Sequence, residues 1–218
     1  MNWNTVLLTL VIIAVSYLLG SINFAILFTR AFKKQDIRDF GSGNAGMTNV
    51  LRTFGIPLAV LTLLGDFLKG LLSALLGGFL YSLLLSLPYE TGAFLAGIGA
   101  LLGHIFPIFY KFKGGKGVLT SAAVIVAVNP LSFLAVLVVF LIVMVCSRMV
   151  SLSSVSAAVL FPVITAVFGI LGDGFSLPSF VFSLIFSTIV IYMHRSNLVR
   201  IANGTEHKFG KKKESGRD

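Results

Sequence analysis

The clearest candidate for chemistry is a run of small and polar residues between two apolar segments. It reads Gly-Ser-Gly-Asn-Ala-Gly-Met-Thr-Asn over residues 41–49. Glycine adopts positive φ without steric cost, so Gly41, Gly43 and Gly46 predict a loop whose backbone N–H groups converge on one point. Side-chain hydrogen-bonding groups come from Ser42, Asn44, Thr48 and Asn49. A loop of this composition suits an anion, above all a phosphate.

Positive charge flanks this loop, and a second glycine-rich loop follows later in the chain. Arg38 precedes the first loop and Arg52 follows it, which predicts a positive potential there. The second loop reads Phe-Lys-Gly-Gly-Lys-Gly over residues 112–117. Lys116 can present its ammonium to a phosphate, and Gly115 beside it allows close backbone approach. The loop is not a nucleotide-binding P-loop, because no Ser or Thr follows the lysine.

Two further polar clusters lie at the ends of apolar segments. The first is a serine cluster after Arg148, formed by Ser151, Ser153 and Ser154, and at least one of these serines is expected to cap the next helix. His194 and Asn197 are three residues apart and therefore share a helix face. Each cluster alone has an ordinary explanation, as a helix cap or as polar residues at a membrane boundary. Together with the two loops, they supply enough donors and positive charge for two phosphate groups.

Membrane helices are the elements that must position these residues. The chain is 56% hydrophobic and 11% charged, whereas soluble domains carry about 25% charged residues. Its mean hydropathy is +0.97. Apolar segments predict seven helices, over residues 6–28, 56–87, 91–110, 117–128, 131–146, 153–171 and 180–193. The expected fold class is all-α, a polytopic integral membrane protein with seven transmembrane helices. The fourth segment is short, so it either begins earlier, at Gly114, or lies buried among the others.

The distribution of charge predicts the orientation. All of the 17 lysines and arginines except Lys69 fall in four regions, 29–55, 111–116, 147–152 and the tail from residue 194. The positive-inside rule places these regions in the cytoplasm, with the N-terminus outside and the C-terminus inside. No Lys or Arg precedes the first apolar segment, so a retained helix is expected rather than a cleaved signal peptide.

The remaining charged and reactive residues receive simpler interpretations. Asp66 and Lys69 are three apart in the second segment and are expected to neutralise each other. Cys146, the single cysteine, is expected to be buried and inert, and no metal or other cofactor is expected. The net charge of +9 reflects orientation in the membrane and not a nucleic-acid partner. We expect one domain over residues 1–207, followed by a basic cytoplasmic tail over 208–218 that is attracted to anionic lipid.

Several motifs spread over the chain carry a resemblance to a known family. They lie at residues 20–22, 36–52, 66–70, 103–104, 112–117, 150–152, 194–197 and 204–207. In this combination the chain resembles the PlsY family, the bacterial acyl-phosphate:glycerol-3-phosphate acyltransferases. Met47 stands where that family usually has alanine. The resemblance implies a multi-pass protein of the bacterial inner membrane whose active site faces the cytoplasm.

The resemblance also implies the reaction. A fatty acyl group would pass from acyl phosphate to the 1-hydroxyl of glycerol 3-phosphate, giving lysophosphatidic acid and inorganic phosphate for phospholipid synthesis. The implied substrates are acyl phosphate and glycerol 3-phosphate, with an apolar groove among the helices for the acyl chain. No CoA, acyl carrier protein or obligate protein partner is implied.

Residue roles are carried over onto the matching positions. The residues expected to bind acyl phosphate are Ser42, Gly43, Asn44, Thr48 and Lys116, and the glycines Gly41, Gly46 and Gly115 are expected to be substrate-binding as well. Those expected to bind glycerol 3-phosphate are Arg52, Ser151, His194 and Asn197. Ser42, Lys116 and His194 are the expected catalytic residues. The general base is either His194, with an unperturbed pKa of about 6.5, or a phosphate of the substrate; the phosphate is favoured because no carboxylate evidently pairs with His194.

Two other functions are compatible with the sequence. A transporter of phosphate or a small organophosphate would usually bind its substrate near the bilayer midplane between repeated halves. Here the polar residues are predicted at one face, and no internal repeat is evident. A lipid-binding scaffold is supported by the basic tail alone. A CoA-dependent acyltransferase of the common type is disfavoured, since none of the three histidines is followed by aspartate five residues later.

Overall fold

Helices account for most of the described chain, residues 3–172 and 174–210 of a computed structural model. The α-helices are α1 Trp3–Gly20, α2 Phe24–Lys33, α3 Met47–Phe54, α4 Ile56–Leu85, α5 Tyr89–Ile105, α6 Val118–Val128, α7 Pro130–Ser147, α8 Val150–Leu171, α9 Leu177–Met193 and α10 Arg195–Ala202. Two single-turn 3-10 helices, Ile37–Asp39 and Ile108–Tyr110, lie in the connections. No strand occurs within the described residues, so the all-α fold class is confirmed.

The seven predicted apolar helices are present, as α1 and α4 to α9. Among the described residues, five segments are long and apolar enough to span a membrane, and six are if α9 and α10, which meet at 58°, form one broken span. The helix α6 has only 11 residues, or roughly 16 Å at 1.5 Å per residue, against a hydrocarbon core of about 30 Å. It packs against α4, α5 and α7, in agreement with the expectation that this short segment lies buried among the other helices. That all seven cross the membrane, with the N-terminus outside, stays a prediction.

The first predicted helix, over residues 6–28, is broken at residues 21–23. The break has a local cause, because Asn23 has extended backbone angles and its Oδ1 accepts a backbone N–H in the first turn of α2 at 3.0 Å. Its Nδ2 donates to the carbonyl of Ala45 at 3.2 Å. Lys69 on α4 donates to a carbonyl within the break at 2.7 Å. The break therefore ties the glycine-rich loop to α4.

Glycines allow the central helices to approach closely, as expected in membrane bundles. A Cβ added to Gly99 on α5 would lie 2.6 Å from the carbonyl oxygen of Ile13 on α1. One added to Gly70 on α4 would lie 2.8 Å from the carbonyl oxygen of Thr120 on α6. Neither position leaves room for a larger residue.

The outer face of the bundle is apolar and exposed, as a lipid-facing surface must be. It is most evident on α7, where Ser132 is the one buried residue of the helix. Cys146 also lies on this helix and is exposed, so the expectation that it is buried is wrong. The apolar run around it indicated contact with lipid and not with the protein core.

The predicted ion pair within α4 is present. Lys69 Nζ lies 2.9 Å from Asp66 Oδ1, and both side chains are buried. A third group was not anticipated: Nδ1 of His104, on α5, lies 3.5 Å from the same carboxylate oxygen.

Candidate active site

A polar cavity of about 140 Å³ lies where several helix connections meet. Most of the predicted site residues line it, namely Ser42, Asn44, Gly46, Thr48, Arg52, Lys116, Ser151, His194 and Asn197. The first residues of three helices, Met47 of α3, Val118 of α6 and Val150 of α8, are also in its wall. Helix N-termini carry unsatisfied N–H groups and partial positive charge. The cavity is therefore suited to anions on more than one side.

Asn49 holds the glycine-rich loop in shape. This residue is 2% exposed, and its Oδ1 accepts the backbone N–H of Ser42 at 3.1 Å. Its Nδ2 donates to the carbonyls of Ile37, Phe40 and Asn44 at 3.2, 2.9 and 3.1 Å. The side chain of Asn49 is therefore engaged within the loop and does not serve as a ligand donor.

Two backbone N–H groups of the glycine-rich loop are satisfied by the protein itself. Those of Gly43 and Gly46 donate to the carbonyls of Phe40 and Asn44, at 3.0 Å each. The expectation that these two N–H groups converge on an anion is therefore wrong. Gly41 and Gly43, which have φ of 58° and 70°, do not line the cavity and instead shape the turn. The backbone next to the loop that lies in the cavity wall is the start of α3.

Arg38 does not contribute its charge to the cavity as expected. Its guanidinium lies 2.8 Å from Asp36 Oδ2, and hydrogen bonding from Arg38 holds the pKa of that carboxyl well below its usual range. Its Nη1 donates to the carbonyl of Tyr110 at 2.8 Å and to that of Lys113, in the second loop, at 3.4 Å. Arg38 thus fastens the first loop to the second, while Arg52 remains in the cavity wall.

Lys116 reaches into the cavity and donates a short hydrogen bond to Oδ1 of Asn197. Burial lowers the pKa of the Lys116 ammonium from 10.5 to about 8, Glu206 opposes that shift, and Arg200 and Arg52 add to it. Burial likewise lowers the pKa of the Arg52 guanidinium, which nonetheless stays charged at neutral pH. The cavity therefore holds cations that lack a full complement of counter-charge.

Gly115 does not line the cavity but lets the second loop lie against α5. Its N–H donates to the carbonyl of His104 at 3.1 Å. A Cβ at this position would collide with the imidazole of His104 and lie 2.9 Å from the carbonyl oxygen of Ala45. The close backbone approach predicted for Gly115 therefore occurs between the two loops.

Glu206 organises the opposite wall and was not among the predicted site residues. Its Oε1 accepts from Ser151 Oγ and Asn197 Nδ2, both at 2.8 Å, and its Oε2 accepts from Arg200 Nε at 2.8 Å. Burial raises the pKa of the Glu206 carboxyl, but these hydrogen bonds outweigh that effect, and the pKa lies below its ordinary value. The signal in the sequence was the Gly-Thr-Glu motif at residues 204–206, to which no role had been given.

The serine cluster does not cap α8. The helix begins at Val150, and Met149 stands at the cap position without a side-chain cap. Ser153 and Ser154 donate to the carbonyls one turn earlier, at 2.9 Å each. Ser151 does not form such a bond within the helix, because its Oγ donates to Glu206 instead.

His194 lies at the bend between α9 and α10 and is 3% exposed. Its Nδ1 lies 2.7 Å from the carbonyl oxygen of Val190. A carbonyl only accepts, so in the neutral ring Nδ1 carries the proton and Nε2 keeps its lone pair. Within the described residues, the ion pairs and hydrogen bonds join no carboxylate to this ring, whereas Asp66 lies beside the other buried histidine, His104.

An apolar cavity of about 290 Å³ adjoins the polar one. Four residues, Val118, Leu119, Phe140 and Ser154, line both cavities. The rest of its wall consists mainly of apolar side chains from α4 and from α6 to α9. The two cavities together can hold a molecule with a phosphate at one end and a hydrocarbon chain at the other. Across residues 3–172 and 174–210, no group of three or more His, Cys, Asp or Glu is placed to hold a metal ion.

A family model and several known proteins match most of this chain. The family model described as glycerol-3-phosphate acyltransferase matches residues 10–204. Similar proteins with the same description come from Thermoanaerobacter sp. (strain X514), 42% identical over 92% of this chain and 95% of the relative, and from Paraburkholderia phytofirmans, 38% identical over 94% and 93%.

Two solved structures are also similar to this chain. The glycerol 3-phosphate form of PlsY, an integral membrane glycerol 3-phosphate acyltransferase, is 34% identical with a TM-score of 0.82, over 93% of this chain and 96% of the other. The lysophosphatidic acid form is 33% identical with a TM-score of 0.78, over 93% and 95%.

Proposed function

The chain belongs to the PlsY family of glycerol-3-phosphate acyltransferases, and we propose that it uses acyl phosphate as donor and yields lysophosphatidic acid and inorganic phosphate. Acylation of glycerol 3-phosphate by an integral membrane protein follows from the family. The observation that carries the finer proposal is the junction of a cationic cavity with an apolar one. A donor that combines a phosphate leaving group with a fatty chain fits both.

The donor phosphate binds between the first loop and the start of α6. Ser42, Asn44 and Thr48 donate hydrogen bonds to it. Gly41, Gly43 and Gly46 shape the first loop, and Gly115 lets the second loop approach it closely. Lys116 and the N-terminus of α6 stabilise the negative charge that develops on the leaving phosphate. Because Val118 and Leu119 line both cavities, the acyl chain leaves this point directly into the apolar one.

Glycerol 3-phosphate binds on the opposite side of the polar cavity. Arg52 binds its phosphate with two parallel hydrogen bonds. Ser151, His194 and Asn197 orient the glycerol hydroxyls, and Glu206 fixes Ser151 and Asn197 in place.

In the reaction, the 1-hydroxyl oxygen attacks the acyl carbonyl carbon. The new ester bond forms, the bond between the carbonyl carbon and the phosphate oxygen breaks, and the hydroxyl proton ends on phosphate. Two acceptors are available, Nε2 of His194 and a substrate phosphate. A substrate phosphate is the better acceptor, because no carboxylate stabilises a protonated His194.

We further propose that this single domain lies in the bacterial inner membrane, with its active site facing the cytoplasm and without a cofactor or obligate protein partner. The basic tail over residues 208–218 contacts anionic lipid. Residues 211–218 of that tail lie outside the described residues. The charge asymmetry of the sequence supports the orientation.

The test is an assay of purified protein in a lipidic mesophase with palmitoyl phosphate and glycerol 3-phosphate. Phosphate and lysophosphatidic acid should appear in equal amounts. Product formed only from palmitoyl-CoA would contradict acyl phosphate as donor. Glycerol 3-phosphate accumulated unchanged inside liposomes, without product, would favour the transporter.

A further inference from the structure

The apolar cavity ends at a wall of buried side chains, and we propose that this wall sets the longest acyl chain that the protein transfers. Ile125 on α6 and Phe161 on α8 form the centre of the wall, with Phe133 and Phe186 beside them. Ile125 is 7% exposed and Phe161 5%. The inference rests on the proposed acyl transfer and adds to it a determinant of substrate length.

Three helices place the wall at a common depth. On α6 the cavity runs from Val118 to Ile125, on α7 from Phe140 to Phe133, and on α8 from Ser154 to Phe161. The first residue of each pair also lines the polar cavity. Each pair is seven residues apart, which corresponds to roughly 10 Å along a helix. An acyl chain that starts at the junction therefore meets the wall at the same distance on three sides.

The wall is backed by the core of the protein and does not yield easily. Ile125, Phe161 and Phe186 belong to one buried cluster with Phe94. The ring of Phe94 in turn stacks on Phe182, with centroids 4.5 Å apart. Close-packed interiors of this kind resist the insertion of further groups.

Ile125 and Phe161 also separate the apolar cavity from a second, much smaller one. Beyond them lies a cavity of about 20 Å³ whose wall contains both residues. A space of this size holds about one water molecule and cannot take up the end of a longer chain. The position of the wall therefore discriminates between chain lengths by steric exclusion.

The depth of the cavity makes this discrimination relevant to membrane lipids. A lipid acyl chain fills half of a hydrocarbon core that is about 30 Å thick, or roughly 15 Å. The carbonyl end of the chain lies in the polar cavity, so the first few carbons are used before the junction. The remaining length is comparable with the roughly 10 Å between the junction and the wall, and the end of an ordinary chain therefore comes level with the wall. Widening or narrowing the cavity at this level should change which chains are transferred.

The experiment measures kcat/KM for a series of acyl phosphates, from decanoyl to arachidoyl, with glycerol 3-phosphate in excess. Ile125→Ala and Phe161→Ala should move the preference to longer chains. The ratio of kcat/KM for a long chain to kcat/KM for a short chain should rise roughly tenfold, because a misfit of one methylene changes kcat/KM by about that factor. Phe161→Leu keeps more of the core volume and gives the same direction of change if Phe161→Ala does not fold. Ala122→Phe, one turn nearer the junction in the cavity wall, should move the preference to shorter chains.

Two variants control for loss of packing alone. Ile12→Ala removes a buried side chain from a separate core cluster that contains no residue of the wall, and Val159→Phe adds a ring on the outer face of α8, where Val159 is 52% exposed. Both should keep the wild-type length profile.

The outcomes separate the inference from the function on which it rests. If the wild type transfers no acyl group from any acyl phosphate, the proposed function fails. If it does, and the Ile125, Phe161 and Ala122 variants all keep its length profile, the inference about the wall is overturned.

Discussion

Asn197 donates through Nδ2 to Oε1 of Glu206 at 2.8 Å, and this bond decides which way its amide faces. A carboxylate only accepts, so the NH₂ group must point to Glu206, and Oδ1 is left to accept from the ammonium of Lys116. Ser151 donates to the same carboxylate oxygen. One buried acid therefore fixes two predicted substrate-binding side chains and, through Asn197, the position of Lys116.

Glu206→Gln should impair binding of glycerol 3-phosphate without unfolding the protein. The variant loses charge-assisted bonds worth about 1.5–3 kcal/mol each and lets the amide of Asn197 turn over, so kcat/KM for glycerol 3-phosphate should fall roughly 10- to 100-fold. The matched control is Glu90→Gln at the start of α5, whose carboxylate accepts from Ser176 and Ser179 at 2.9 and 2.8 Å, away from the cavity. Equal kinetic effects of the two substitutions would contradict the role given to Glu206.

The pH dependence of transfer should follow Lys116. Its pKa lies at about 8, so the ammonium is charged below that pH and is lost as the pH rises through it. The value of kcat/KM should therefore be level at neutral pH and fall above about 8. Bound phosphate stabilises the charged form, so the decline in kcat should come at a higher pH.

Substitutions separate this effect from other titrations. Lys116→Met should lower kcat by roughly 100-fold or more, the range for removal of one stabilising group in a transition state. Any activity left in Lys116→Arg should lose the decline near pH 8, because a guanidinium stays charged. The control is Lys113→Met, since Lys113 is an exposed residue of the same loop. A Lys116→Arg enzyme with the wild-type pH profile would assign the titration to another group.

Arg52→Lys should raise KM for glycerol 3-phosphate and leave KM for acyl phosphate nearly unchanged. A lysine keeps the charge but cannot form two parallel hydrogen bonds to one phosphate, and the loss of one charged bond corresponds to roughly tenfold or more. Initial rates with each substrate varied in turn give the two constants. Arg195→Lys is a suitable control, because Arg195 is exposed and lies over the ring of Tyr192. An increase in KM for acyl phosphate alone would contradict this assignment and would mean that Arg52 binds the donor phosphate.

The sequence predicted the helices and the grouping of the loops well, because both follow from hydropathy and charge along the chain. It did not predict contacts between residues far apart in sequence. Asn49 donates to three carbonyls in and before the glycine-rich loop, and Glu206 accepts from Ser151, 55 positions earlier in the chain. Asn23 breaks the first helix and bonds to Ala45. In such folds some polar side chains stabilise the structure and others bind the substrate. Only the folded geometry shows which residue has which role.

Asp66 and Lys69 provide the sharpest test of how the bundle tolerates buried charge. Removing one partner leaves a charge without compensation in a membrane helix, so Lys69→Met should destabilise the protein by about 3–5 kcal/mol. In the double variant Asp66→Asn/Lys69→Met no isolated charge remains, and much of that loss should be recovered. Thermal unfolding in detergent of the wild type, both single variants and the double variant gives the coupling energy.

The cycle also distinguishes the ion pair from the other contacts of the two residues. Lys69 donates to the backbone at the break after α1, and Asp66 lies beside His104 in the wall of the polar cavity. If these contacts dominated, the two single losses would simply add in the double variant. A strong positive coupling is expected instead, because the 2.9 Å approach of Lys69 to Asp66 compensates two charges that no solvent reaches.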